Sequence, residues 1–117
     1  SEKLANKISD EQQKHKKKPK IFIQVNLGNE VQKSGIDKRN LNDFYKFCKT
    51  LNLDIIGTMC IPPNDGYTKK YFSEMSDLNK KLNFKELSMG MSEDYLEAIR
   101  YNATYIRVGS KIFGSRS

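Results

Sequence analysis

An alternation of period constrains this chain more than any other feature. "KIFIQVN" (Lys20–Asn26), "LDIIGTMCI" (Leu53–Ile61), "FKELSM" (84–89) and "TYIRVG" (104–109) are short apolar runs of strand type. Helical stripes separate them: Leu41, Phe44, Tyr45, Cys48 and Leu51; then Tyr71, Phe72, Met75, Leu78 and Leu82; then Leu96, Ile99 and Ala103. Leu4, Ala5 and Ile8 mark one more helix at the start, ended before Pro19. "LGNEVQKSGID" reads as a loop after the first strand, and Pro62-Pro63-Asn64-Asp65-Gly66 halts the second. Ser92 is the expected cap of the last helix, with Glu93 and Asp94 in its first turn. The order is α-β-α-β-α-β-α-β with four strands, which predicts right-handed βαβ units and a parallel sheet. Nearly continuous apolar strands such as "IFIQV" predict burial on both faces.

At 117 residues the chain is at most one domain. Beginning at Ser1 rather than Met, it reads as a piece of something longer. No apolar run approaches the ~20 residues of a membrane span, and "SEKLANKISDEQ" has no signal-peptide core. The formal charge of +7 invites a nucleic-acid reading. Residues 1–20 carry seven lysines against three carboxylates, most of them in "KHKKKPK" at a helix end, where cations complement the dipole and stay solvated. No aromatic residues interleave with that run to make a stacking platform, so nucleic acid is not the expected partner. Cys48 and Cys60 have no CxxC partner, which argues against a metal or redox pair and fits a reducing cytosol. His15, inside the lysine run, reads as a surface residue.

Parallel α/β architecture puts ligands at the C-terminal ends of strands. Asn26, Thr58–Ile61, Ser88–Ser92 and Gly109-Ser110 therefore share one rim. Two small-residue clusters there, Ser88-Met89-Gly90-Met91-Ser92 and Gly109-Ser110, stand where apolar residues would have extended the core. Gly admits a backbone N–H close to a ligand, Ser adds a hydroxyl, and the following helix turns its unpaired amides the same way. These are the parts of a phosphate site. They are equally the parts of ordinary turns capping a helix, and residue chemistry leaves both readings open.

Four segments, "IFIQVNLGNEVQKSGI", "GTMCIPP", "LSMGMSEDYLEAI" and "YIRVGSKIFGSR", resemble the pyridoxal phosphate (PLP) homeostasis proteins in order and spacing from Lys20 to Arg116. The family consists of non-enzymatic PLP carriers related to the barrel domain of alanine racemase. The resemblance implies an α/β fold in which residues 1–117 are a single partial domain, the second half (strands five to eight) of an alanine-racemase-like TIM barrel. It implies cofactor contacts at Ser88, Met89, Gly90 and Ser92 in the strand-seven loop, and at Gly109 and Ser110 in the strand-eight loop. Arg107 matches the arginine that related racemases aim at the pyridine nitrogen, where its charge keeps that nitrogen unprotonated. Met59, Ile61 and Pro62 are expected on the pocket wall; Lys33-Ser34-Gly35 shapes the rim; Tyr71 and Phe72 are expected in helix core. The family's Schiff-base lysine belongs to a first strand without counterpart here, and none of the lysines present, Lys33 and Lys111 included, matches it.

The resemblance implies a cytoplasmic protein that exchanges PLP with apo-enzymes, and a fragment that binds PLP weakly and pairs with a second copy or a complementary half-barrel. The alternatives are a PLP-dependent racemase-like enzyme and a basic nucleic-acid-binding module. A racemase needs a rim tyrosine as acid/base, a role that the sequence assigns to none of Tyr67, Tyr95, Tyr101 and Tyr105.

Overall fold

The computed structural model describes residues 1–28 and 35–107. Its elements are α1 (Glu2–His15), β1 (Lys20–Asn26), β2 (Ile36–Asp37), a 3-10 turn (Lys38–Asn40), α2 (Leu41–Thr50), β3 (Asp54–Met59), α3 (Thr68–Lys81), β4 (Glu86–Met91), α4 (Tyr95–Arg100) and β5 (Tyr105–Arg107). The strands form one sheet in the order β2-β1-β3-β4-β5, and every pairing is parallel. The alternating α/β order is thus the one the sequence predicts, with one strand more than the four expected. The extra strand, β2, pairs Ile36 and Asp37 with Val25 and Asn26 inside the stretch read as a loop. Two residues carry no periodicity for a pattern to reveal.

Helix α1 begins where Ser1 accepts the Leu4 N–H (3.2 Å) and ends at Lys16 in the left-handed conformation (φ 52°). Its inward face is Ala5, Ile8 and Ser9, whereas Leu4 is 55% exposed and does not share it. The helix lies over the turn between α2 and β3: the Ser9 hydroxyl donates to the Leu51 carbonyl (3.2 Å) and the Gln12 amide to that of Asn52 (3.1 Å). Cys48 and Leu53 complete this smaller core.

The main core lies between the sheet and α2, α3 and α4, where Ile23, Val25, Leu41, Leu87 and Met89 meet Phe72, Met75 and Ala98. Tyr71 and Phe72 are buried in it as expected. Inside, the Thr58 hydroxyl donates to Asn79 Oδ1 (2.6 Å), and Asn79 Nδ2 donates to the Glu86 carbonyl (2.7 Å). One buried amide therefore ties α3 to two strands and satisfies groups that would otherwise be stranded.

The fourth helical stripe needs correction. Leu96 and Ile99 are 62% and 50% exposed, Ala103 lies beyond the helix end, and the buried position of α4 is Ala98. The helix has six residues, too few for a hydrophobic period to show its phase. Its N-cap is Asp94 rather than Ser92.

The sheet curls. Phe22 on β1 and Tyr105 on β5 are separated by β3 and β4, roughly 14 Å in a flat sheet of ~4.8 Å spacing. Their ring centroids are nevertheless 5.1 Å apart, edge to face. Side chains can meet over two intervening strands only from the concave side of a barrel-like sector. Irregularities accompany the curvature. Ile21 and Phe22 pair with Ile55 and Gly57, leaving Ile56 as an extra residue in β3. A Cβ on Gly57 would overlap the Glu86 carbonyl of the next strand.

Candidate functional site

Because the strands are parallel, their C-terminal ends open on one rim, and the β3, β4 and β5 ends surround a cleft there. Met59 pairs with Ser88, and Met91 with Arg107, which brings the ends of the three strands into register. The cleft has a volume of about 460 Å³ and runs from Cys60–Asn64 after β3, past Ser88–Asp94, to Arg107. That volume falls within the ~300–1,000 Å³ typical of small-molecule sites. Ser88, Met89, Gly90, Ser92 and Arg107 thus line one cavity, together with Ile61 and Pro62. Met59 is not among its lining residues. Gly109 and Ser110, and with them Lys33, Ser34 and Lys111, lie outside the described residues.

The cleft-lining positions contribute in different ways. The Met89 side chain is 2% exposed and belongs to the helix-facing core, so this residue meets the cleft through its main chain. Ser88 faces the other way, and among the described residues neither its hydroxyl nor that of Ser92 has a hydrogen-bond partner. Arg107 is the cation among the described lining residues, and no described carboxylate pairs with it. Between Ser88 and Met91, β4 advances three residues while β5 advances two, from Tyr105 to Arg107. The extra residue makes a bulge, a device that re-aims backbone groups at the edge of a site. Gly90 lies in it at φ 104°, where a Cβ would lie 2.6 Å from that of Ala98. Its lack of a side chain therefore serves helix packing as well as an open backbone.

Electrostatics divide the cleft. Asp94 Oδ1 accepts the Met91 N–H (2.7 Å), which holds the β4–α4 loop in a tight turn. Burial, reinforced by the Asp94 charge, pushes the Cys60 thiol up to about 12, so it stays a neutral wall group. Arg107 is the positive group of the described lining, and Glu93 and Asp94 are its carboxylates. Cys60, Asn64, Thr68 and Asp94 are lining residues the sequence did not single out as ligand contacts. Cys60 was visible at a strand end, but Thr68 arrives from α3, and no local pattern announces that meeting.

Comparison with known proteins bears on the family and the fold. The family model described as "Alanine racemase, N-terminal domain" matches residues 1–117. The chain belongs to this family. It is 33% identical over 123 residues to the pyridoxal phosphate homeostasis protein of Aquifex aeolicus, covering 97% of this chain and 54% of that one. The human protein of the same name is 32% identical over 133 residues, with 99% and 48% covered. PipY of Synechococcus elongatus, solved with PLP bound, superimposes with a TM-score of 0.86 at 30% identity, over 97% of this chain and 57% of that one. The chain spans about half the length of the curated relatives it matches. No helix among the described residues is long and apolar enough to cross a membrane.

Proposed function

We propose that this chain is the PLP-binding second half, strands five to eight, of a non-enzymatic PLP homeostasis protein of the cytoplasm. The observation that carries the reading is the convergence of Ser88, Ser92 and Arg107 on one rim cleft, with both hydroxyls unpartnered among the described residues. These residues fit the cofactor. Hydroxyls and main-chain amides at the β4 loop suit its phosphate dianion, a role that the family resemblance extends to Gly109 and Ser110, and Arg107 suits its ring nitrogen. When bound, PLP supplies an aldehyde that condenses reversibly with amines. This chain's own residues hold the phosphate, orient the ring and wall it with Ile61 and Pro62.

The carrier role, with apo-enzymes as recipients, is favoured over racemase chemistry by the makeup of the wall. Tyr67, Tyr95, Tyr101 and Tyr105 all lie off the described lining of this cleft. Two buried thiols fit a reducing compartment.

The test is a fluorescence titration of PLP and of pyridoxal, which lacks the phosphate, into wild type, Ser92→Ala and Ser110→Ala. Wild type should bind PLP weakly and pyridoxal still less. Each substitution should weaken PLP about tenfold, the loss expected of one hydrogen bond to a charged group. Equal binding of PLP and pyridoxal, or no effect of either substitution, would refute the assignment.

A further inference from the structure

We propose that Tyr71 and Asp65 form a latch that sets the ring-facing wall of the cleft, making Tyr71 a positioning residue for the cofactor; this rests on the PLP reading above. The wall is the segment Ile61–Asn64, which follows β3 and presents Ile61, 46% exposed, at the cleft. Two prolines in it fix φ and restrict the residues before them, so the segment moves largely as one piece. Its position then depends on how its two ends are held.

The first end is fixed to the sheet, where the Cys60 N–H donates to the Ser88 carbonyl (3.1 Å). The second is fixed by Asp65. Its Oδ1 accepts the Tyr67 N–H (3.1 Å) and its Oδ2 accepts the Tyr71 hydroxyl at 2.6 Å, a short charge-assisted bond. The Tyr71 hydroxyl holds the Asp65 carboxyl below its ordinary range, as an acceptor engaged while ionised should be. Tyr71 itself is anchored, 8% exposed within the main core on α3. A third segment meets the same point. Gly28, just past β1, has φ 72°, and a Cβ there would lie 3.1 Å from Pro63 Cγ and 3.2 Å from the Tyr71 hydroxyl. A rigid phenol rooted in the core thus registers the loop after β3 against the loop after β1. Phe in its place would fill the core equally well and leave Asp65 without this donor.

Tyr71→Phe in the full chain removes the hydroxyl and keeps the ring. Amides of Asn64–Tyr67 should exchange faster with deuterium, and PLP should bind about tenfold more weakly with a shifted absorbance of the bound ring. Binding of inorganic phosphate, which needs the serine side alone, should not change. Asp65→Ala should reproduce both effects, and the double substitution should be no worse than either, the non-additivity of partners in one bond. Wild-type exchange rates in Tyr71→Phe, or faster exchange with unaltered PLP affinity and absorbance, would overturn the latch. Failure of wild type to prefer PLP to pyridoxal would instead overturn the functional reading, and the exchange arm would still decide whether the latch exists.

Discussion

Gly90 carries two demands at one position: a positive φ of 104° and contact with Ala98 closer than any Cβ allows. Gly90→Ala should therefore destabilise the fold by at least about 2 kcal/mol, combining backbone strain with crowding, measured as a lower urea midpoint. Cys60 and Cys48 are buried with raised thiol pKa values, from desolvation first and, at Cys60, from the Asp94 charge as well. Neither should react with a thiol reagent at neutral pH until the chain unfolds; stoichiometric labelling of native protein would contradict their burial. Asp37 accepts from Arg39 Nε (3.1 Å), Nη2 (2.8 Å) and the main-chain N–H (2.9 Å), which lower its carboxyl from 3.8 to about 2. A depressed folded value means that whatever stability the pair adds is complete above 3.8 and is lost as pH falls through about 2. Arg39→Ala should return the Asp37 titration, followed by carbon NMR, toward the ordinary carboxylate range.

Asn79 does for the elements what Asp65 does for a loop. Buried on α3, it bridges Thr58 on β3 and the Glu86 carbonyl at the start of β4. Asn79→Ala leaves both groups unpaired in the interior and should cost about 2–3 kcal/mol, read from thermal or urea unfolding. An equally stable variant would mean that water replaces the amide. The sequence shows why some elements are legible and others are not. β1 announced itself through seven residues of strand composition, and α3 through an apolar stripe running over its whole length. β2 has two residues and α4 six, less than two periods of either pattern, so neither repeats often enough to show its phase, and tertiary packing decides it. Ala98 is buried because Gly90 makes room for it, a relation between β4 and α4 that no local window contains. In the same way the meeting of Ser88, Ser92 and Arg107 on one rim was readable from strand-end position and family resemblance. Thr68 and the Tyr71–Asp65 bond depend on how α3 docks.

At the level of the whole molecule, the Phe22–Tyr105 contact means that the five strands of the described residues turn toward closure. Among the described residues β5 is an edge of the sheet, and the chain spans about half the length of its relatives. Expressed alone, it should self-associate, with sedimentation at tens of micromolar showing dimers or larger species. A monodisperse monomer with a cooperative melt would contradict this. Strand direction limits what can complete the fold. A segment continuing the same topology alongside β5 must run in the same sense as β5. Its last residue then emerges on the same rim as Arg107 and the cleft.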